Sequence, residues 1–255
     1  MRFTNSPLVS YTKLSPNHSG QRTHAIDRIT PHCVVGQSSV ETLGNIFASK
    51  ARQASSNYGI GADGRVGMYV EEKNRSWCSS SSANDQRAVT IECASDASHP
   101  YAFKSIVYNK LIELCVDICK RNGKTKLLWF GDKNKSLNYK PAVNEMVLTV
   151  HRWFANKSCP GDWMYARMGD LAAKVTARLG GTATTEPPTF SPYKVRVSIK
   201  NLNIRKGPGT NYASNGFCPV GVYTIIEESN GIGATKWGKL KSGAGWISLD
   251  YAKRV

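Results

Sequence analysis

A break in composition at residues 180–192 divides the chain into two parts with different patterns. This segment reads GGTATTEPPTFSP, so glycine, threonine and proline replace the periodic apolar residues on either side. Two adjacent prolines lack the amide donors that helices and central strands use, and such composition is typical of linkers. We therefore predict one domain over residues 1–179, a linker over 180–192 and a second domain over 193–255.

The first part mixes helical and extended patterns, which favours an α/β domain. Residues 103–122 carry apolar side chains at helical spacing, and Gly123 is expected to end that helix. Residues 88–93, AVTIEC, predict a short strand that contains one charge. The remaining predicted elements are a helix over 38–53 capped by Ser38 with Glu41, a hairpin over 57–71 turning at Asp63-Gly64, a strand over 126–131 and a helix over 163–179.

The second part carries short alternating runs such as VRVSI, LNIR, WGKLK and GWISL, separated by glycine, proline and asparagine. Period-two alternation with frequent turn residues is typical of strands. This pattern predicts a small all-β barrel or sandwich.

The charge balance points to a polyanionic partner. There are 34 Lys and Arg against 18 Asp and Glu, which gives a formal charge of +16. Such a surface attracts nucleic acid, anionic lipid or an anionic cell wall, and charge alone does not choose among them. We expect no nucleic-acid partner, because no helix-turn-helix, zinc-finger or RNA-binding signature is present.

The distribution of apolar residues also bears on membrane insertion and on secretion. No window approaches the roughly 18 uncharged apolar residues of a membrane helix, so we expect no membrane insertion. The N-terminal residues, MRFTNSPLVSYTKL, lack the continuous apolar core of a secretory signal peptide. The expectation is a protein made in the cytoplasm, for which any export needs another route.

Seven cysteines are present, an odd number, and no CxxC pair occurs. We therefore expect neither a disulfide framework nor a zinc ribbon. Cys115 and Cys119 lie four apart on the predicted helix, where small buried residues are the ordinary interpretation.

Three residues offer the donor types that zinc prefers. His32 follows a likely strand end, His151 ends the apolar stretch MVLTV, and Cys159 follows eight residues later. Three protein ligands leave the fourth position of a tetrahedral zinc ion open, as in catalytic sites. From spacing alone, structural histidines at strand ends are the commoner alternative.

The segments ITPHCVVGQ, SNYGIGADGRV, AVTIEC and HRWFANKSCPGDW, in this order, resemble the type-2 N-acetylmuramoyl-L-alanine amidases across residues 20–179. The resemblance implies a mixed central sheet flanked by helices. It also implies Zn²⁺ bound by His32, His151 and Cys159. The implied reaction is hydrolysis of the amide bond between N-acetylmuramic acid and L-alanine in bacterial peptidoglycan.

The same resemblance suggests two catalytic residues. Glu92 lies in an apolar strand, where it either faces solvent at a strand edge or, as the family implies, faces the metal as general base. Lys157 is either a surface loop lysine or, as the family implies, a stabiliser of the oxyanion. Some relatives use a tyrosine ahead of the hairpin turn, but that position is Ser56 here, so we interpret Tyr58 as core packing.

Residues 194–255 resemble bacterial SH3-like wall-binding domains through LNIRKGPGTNY and GWISLDYAKRV. The resemblance implies a small SH3-like barrel that binds peptidoglycan, and the basic charge would add attraction to anionic wall polymers. Trp246 and Tyr251 are expected in its core.

The sequence thus favours a zinc amidase with a wall-binding domain. A wall-binding domain without a signal peptide is typical of a phage endolysin that lyses a Gram-positive host after holin-type release. The alternatives are a host autolysin or prophage-derived wall-remodelling amidase, a cytoplasmic recycling amidase, and a peptidoglycan-recognition protein without catalysis. The last of these usually lacks the cysteine ligand, which is present here as Cys159.

Overall fold

The computed structural model describes residues 3–180 and 192–255, with the side chain of residue 230 left aside. The chain divides into two compact units, residues 1–188 and 189–255. Except for its two end residues, the linker predicted over 180–192 lies outside the described residues.

The first unit is an α/β structure whose helices are interspersed among its strands along the chain. Its strands are β1 (Val9–Thr12), β2 (His18–Gln21), β3 (Arg28–Cys33), β4 (Tyr58–Ile60), β5 (Val66–Met68), β6 (Asn74–Ser76), β7 (Ala88–Cys93), β8 (Lys126–Leu128) and β9 (Glu145–Leu148). Its helices are α1 (Val40–Ala48), α2 (Ser82–Asp85), α3 (Ser105–Arg121), α4 (Lys133–Asn138), α5 (Asp162–Tyr165) and α6 (Met168–Arg178).

Seven of these strands form one sheet in the order β1-β5-β4-β7-β3-β9-β8. From β4 to β8 every neighbouring pair is parallel, whereas β4 and β5 are antiparallel. The sheet is therefore mixed, as the family resemblance implied. Strands β2 and β6 form a separate antiparallel pair.

Helix α3 supplies much of the core on one face of the sheet. Leu111, Leu114 and Ile118 are fully buried on it, together with Cys115 and Cys119. Burying each large aliphatic side chain is worth roughly 1.5–3 kcal/mol relative to leaving it exposed. The interpretation of the two cysteines as small core residues is confirmed.

Local details differ from the sequence predictions at several places. The helix predicted over 38–53 ends at Ala48 and is followed by the 3-10 helix Lys50–Arg52, and the strand predicted over 126–131 ends at Leu128. Helix α1 begins after Ser39 rather than Ser38, because the Ser39 side chain accepts the hydrogen bond from the Thr42 amide. Ile106, predicted on the apolar face of α3, is 51% exposed and lies against the turn at Gly64, whose φ is +83°. The helix predicted over 163–179 is two helices, because Arg167 leaves the helical conformation between α5 and α6.

The second unit is a seven-stranded sheet with its own apolar core. The strands are β10 (Tyr193–Val197), β11 (Leu202–Arg205), β12 (Ser214–Cys218), β13 (Gly221–Gly231), β14 (Ala234–Leu240), β15 (Trp246–Ser248) and β16 (Ala252–Arg254). Their order is β12-β11-β15-β14-β13-β10-β16, and their pairings are antiparallel. The all-β prediction is confirmed at this level.

Of the two aromatic residues expected in that core, Trp246 is buried and Tyr251 is not. Tyr251 is 59% exposed and ends a short 3-10 helix, Leu249–Tyr251. The expectation for Tyr251 was wrong. Within the described residues, no helix combines the length and apolar character needed to cross a membrane.

Candidate active site

Adjacent parallel strands bring the chemically important side chains to one edge of the central sheet. Strand β3 lies between β7 and β9, and His32 of β3 is the register partner of Glu92 of β7. His151 begins a short 3-10 helix, His151–Trp153, just after β9. Because the carboxyl ends of parallel strands meet at one edge, residues far apart in sequence become neighbours there.

Three donor atoms converge at this edge. The ligand atoms of His32, His151 and Cys159 all lie within 4.8 Å of one another. His32 Nδ1 is 3.3 Å from Cys159 Sγ, and the two imidazole centroids are 5.1 Å apart. The three residues proposed as metal ligands from the sequence therefore occupy a single cluster.

The loop that carries Cys159 is held against the sheet by several contacts. The Arg152 amide donates to the Cys159 carbonyl at 3.1 Å, and the Arg152 guanidinium donates to Asp162 Oδ1 at 2.9 Å. Trp153 stacks on Trp129 with centroids 5.1 Å apart. These contacts hold the loop in place, so the Cys159 thiol is positioned next to the two histidines.

The electrostatics of the cluster suit a bound cation. Burial, and then the neighbouring His151, lower the pKa of His32. Burial, and then Lys157, lower the pKa of His151, so both imidazoles favour the neutral form that ligates metals. Burial raises the pKa of Cys159, so a thiolate there needs a positive charge beside it. Two imidazoles and one thiol form a donor set that zinc accepts.

Glu92 lies on a central strand, so the alternative of a solvent-facing edge position is wrong. Its side chain is 17% exposed, and Oε1 is 4.0 Å from His32 Nδ1. The Cys78 thiol donates to the same oxygen at 3.7 Å, while Oε2 is buried and has no hydrogen-bond partner among the described residues. Burial raises the pKa of Glu92 to about 7. This carboxyl group can therefore exchange a proton near neutral pH.

A cleft of about 680 Å³ opens above this cluster. Glu92, His151 and Lys157 line one region of it, and Ile46 and Phe47 of α1 contribute apolar surface. Lys157 is exposed in the loop before Cys159, and its charge is close enough to act on His151. The volume is within the range of small-molecule sites.

Sequence reasoning missed two neighbours of the cluster. Cys78 forms a second group of potential ligands with His32 and Glu92, whose ligand atoms lie within 4.8 Å of one another. Ser80 Oγ lies 2.9 Å from His151 Nε2. Cys78 directly precedes the serine run Ser79–Ser82 and Ser80 lies within it, so no local signal in the sequence indicates their position.

Tyr58 lies in the core and away from this chemistry, as the sequence predicted. It is fully buried, its hydroxyl donates to Glu72 Oε1 at 2.8 Å, and it accepts from the Ser6 amide at 2.8 Å. Ser56, at the position where some relatives carry tyrosine, is also buried and donates to the Tyr58 carbonyl. Cys33 is buried at the cleft wall beside Cys159.

Comparison with solved structures finds several amidases and endolysins. PlyL is 16% identical and aligns over 65% of this chain and 95% of its own, with a TM-score of 0.44. The Ph2119 endolysin from Thermus scotoductus MAT2119 bacteriophage Ph2119 is 16% identical and aligns over 61% of this chain and 90% of its own, with a TM-score of 0.43. The Staphylococcus aureus hydrolase AmiA, in complex with its ligand, is 13% identical and aligns over 71% of this chain and 89% of its own, with a TM-score of 0.47.

No curated protein sequence matches the chain. The family assignment rests on a family model, described as N-acetylmuramoyl-L-alanine amidase, which matches residues 22–162. The matched range includes His32, Glu92, His151, Lys157 and Cys159. Because the match covers more than half of the chain, this protein belongs to the N-acetylmuramoyl-L-alanine amidase family.

Proposed function

We propose that this chain is a zinc-dependent enzyme that hydrolyses the amide bond between N-acetylmuramic acid and L-alanine in peptidoglycan. One observation carries the proposal: His32, His151 and Cys159 bring three zinc-type donor atoms within 4.8 Å of one another, beside Glu92 in an open cleft. Family membership supplies the reaction class. The convergence of His32, His151, Cys159 and Glu92 supports the assignment of these residues to that reaction.

His32, His151 and Cys159 would hold the metal, and their chemistry fits it. Three protein ligands leave a position for water or substrate, which distinguishes catalytic from structural zinc sites. Zinc in such a site acts as a Lewis acid toward the scissile carbonyl and makes a water molecule more acidic. The neutral imidazoles and the buried thiol described above are the groups that such an ion would stabilise.

Glu92 is the proposed general base. Its unpartnered Oε2 can accept a proton from the water that attacks the carbonyl carbon. The proton is then passed to the departing nitrogen of L-alanine as the C–N bond breaks. The products are a lactyl carboxylate on the sugar and a free amino group on the peptide.

Lys157 is the proposed stabiliser of the oxyanion. Its ammonium group is exposed at the cleft and forms no ion pair among the described residues, so it is available to a developing negative charge. A well-placed donor of this kind is worth roughly 3–4 kcal/mol in the transition state.

The second unit is the proposed wall-binding domain, an SH3-like module. Its support is the signature LNIRKGPGTNY and an independent apolar core on an antiparallel sheet. It carries ten Lys and Arg against three Asp and Glu, which favours a surface rich in anionic polymers. Tethering would raise the local concentration of the first unit on an immobile substrate.

The biological role that fits these parts best is a phage endolysin, released through a holin to lyse a Gram-positive host. A host autolysin or a prophage-derived remodelling enzyme would use the same chemistry. A recognition protein without catalysis is disfavoured, because Cys159 lies beside His32 with Glu92 nearby.

Mass spectrometry of digested walls tests the reaction. Purified Gram-positive peptidoglycan is incubated with the zinc-loaded chain, and the soluble fragments are analysed. We expect new free amino groups on L-alanine without new reducing sugar ends. New reducing ends, or cleavage between amino acids only, would contradict the proposed bond specificity.

A further inference from the structure

A second group of donor atoms adjoins the proposed zinc ligands. The Cys78 thiol is 3.7 Å from Glu92 Oε1, and ligand atoms of these two residues and of His32 lie within 4.8 Å of one another. Both side chains line the cleft, so an ion that enters the cleft can reach them. Neither Cys78 nor Glu92 is one of the three proposed ligands of the catalytic metal.

The spacing of the sulfur and the carboxylate oxygen is that of two ligands on one ion. Zinc binds thiolate sulfur at about 2.3 Å and carboxylate oxygen at about 2.0 Å, so two such atoms on a tetrahedral ion lie roughly 3.5 Å apart. Cys78 Sγ and Glu92 Oε1 are 3.7 Å apart, which is close to that value. Glu92 Oε2 is buried and has no hydrogen-bond partner among the described residues, so the carboxylate has an oxygen left for an ion.

The backbone around Cys78 is held in place by protein contacts. The Cys78 amide donates to Oδ2 of the buried Asp85 at 3.0 Å. Ser80, two residues further on, has a φ of +61°, and its hydroxyl lies 2.9 Å from His151 Nε2. A strained backbone of this kind persists where the surrounding structure determines it. The loop therefore presents the thiol at a defined position beside Glu92, which the central strand β7 holds.

His32 faces both groups of donors through one nitrogen. Its Nδ1 is 3.3 Å from Cys159 Sγ and 4.0 Å from Glu92 Oε1. One imidazole nitrogen coordinates one ion, so a metal in the three-ligand cluster keeps His32. A second ion would have Cys78 and Glu92 as protein ligands, with water in its remaining positions. Hydrolases with two metal ions hold them about 3.5–4 Å apart, so a neighbouring ion is compatible with the first. Two protein ligands bind more weakly than three, so the second position fills only in excess metal.

The donor atoms decide which cations fit and what their binding does. Thiolate sulfur favours ions such as Zn²⁺ and Cd²⁺, whereas Mg²⁺ and Ca²⁺ prefer oxygen. The thiolate is the ligand, so binding releases the Cys78 proton to solvent. A Glu92 carboxylate that coordinates an ion no longer accepts a proton from the attacking water. Occupancy of this position should therefore stop hydrolysis.

We propose that Cys78 and Glu92 form an inhibitory site for a second zinc ion, which fills in excess metal and stops the reaction by occupying the general base. This inference rests on the proposed function, because the inhibition requires Glu92 to be the base. The binding of the second ion itself does not depend on the reaction.

A metal titration of the full chain tests the binding. Cd²⁺ bound to thiolate gives a charge-transfer absorbance in the ultraviolet, which reports each thiolate ligand directly. We expect the first equivalent to engage the cluster that contains Cys159, and a second, weaker equivalent to add a further thiolate signal. In Cys78→Ser the second signal should be lost while the first stays. Cys218→Ala removes a thiol that is buried in the second unit, so this matched control should keep both signals.

Cleavage of purified walls during a zinc titration tests the inhibition. The wild type with one equivalent of zinc should lose activity as more zinc is added, and a weak chelator that removes only the excess should restore it. Losing an outer partner of a metal ligand already costs roughly 10- to 100-fold in affinity. Cys78→Ser, measured relative to its own activity at one equivalent, should therefore need at least about 10-fold more zinc for half inhibition. Excess Mg²⁺ should not inhibit, and thermal unfolding shows whether each variant is folded.

A single thiolate-bound ion in the wild type, or inhibition by excess zinc that is unchanged in Cys78→Ser, would overturn the inference. Stimulation by the second ion would overturn it as well. Failure of the proposed function has a different result: two Cd²⁺ equivalents, the second lost in Cys78→Ser, on a folded chain that cleaves no wall substrate. Cleavage by a chain that binds only one ion would support the amidase reaction and remove the second site.

Discussion

His32 and Glu92 lie directly opposite each other on the parallel strands β3 and β7, with Nδ1 and Oε1 4.0 Å apart. The ligand and the proposed base are therefore held by backbone pairing rather than by a loop. A slip of one residue between these strands would turn one of the two side chains to the other face of the sheet. The proposed active site therefore depends on this pairing register.

Replacing Glu92 with glutamine should separate metal binding from turnover. The amide keeps the size of the side chain but cannot accept the proton from water. We expect zinc content to stay at the wild-type level and kcat to fall by about 10²–10⁴, the usual contribution of a general base. Wall turbidity and elemental analysis measure the two quantities. Glu113→Gln, an exposed carboxylate on α3, is the control, and wild-type turnover in Glu92→Gln would remove Glu92 as the base.

Cys159→Ser and His151→Ala should abolish both zinc binding and lysis of purified walls. Losing an outer partner of a metal ligand already costs roughly 10- to 100-fold, and losing a ligand itself should cost more. Zinc per chain after dialysis is the direct readout, and added zinc should not restore activity. His24→Ala, at an exposed histidine, should leave zinc content and lysis unchanged. Full activity in either ligand variant would mean that the metal assignment is wrong.

The elements predicted best from the sequence are those in which the local pattern of apolar residues also decides which side chains are buried. Residues 88–93 form β7 with the predicted bounds, and α3 covers most of the range predicted from its apolar spacing. The turn at Asp63-Gly64 follows from backbone chemistry, since Gly64 adopts a positive φ. In these segments the local preference and the tertiary packing agree, apart from the exposed Ile106.

The site needed information that local patterns do not contain. His32 and Cys159 are 127 positions apart, and their contact depends on the order of strands in the sheet. Only the family resemblance suggested it. Cys78 had no motif to mark it, and it reaches Glu92 through tertiary packing alone. Arg167 interrupts the predicted helix between α5 and α6, with its guanidinium 4.0 Å from the centre of the Trp163 ring.

Arg65 should stabilise the first unit in a pH-dependent way. It pairs with Glu41 of α1 and with Asp63 of the hairpin turn. Hydrogen bonding to Arg65 lowers the pKa of Glu41 from 4.5 to about 2 and also lowers that of Asp63. A carboxyl group with a lowered folded-state pKa stabilises the fold above its unfolded value and loses this contribution as pH falls toward the folded value. The contribution should therefore be present above about pH 4.5 and disappear toward pH 2.

Urea unfolding of Arg65→Ala across this pH range measures that contribution. We expect a lower midpoint than wild type at pH 6 and a difference that shrinks as pH approaches 2. Lys140→Ala removes the same charge from an exposed position outside any ion pair of the described residues, so it controls for net charge. A midpoint difference that does not change with pH would contradict the ion-pair explanation.

The second unit should carry wall binding by itself, because it has its own core. Val195, Val197, Ile225 and Ile247 are buried there within one antiparallel sheet. A fluorescent reporter fused to residues 192–255 should label cells of at least one Gram-positive species, as measured by microscopy and by sedimentation with purified walls.

Raising the salt from 0.1 to 1 M shortens the Debye length from about 10 to 3 Å, so it should weaken the part of the binding that comes from basic charge. Binding that survives in high salt would come from short-range contacts with peptidoglycan. Ile247→Asp, which puts a charge into the core, should abolish labelling together with folding, whereas a folded reporter fusion that labels no species would contradict the anchoring role.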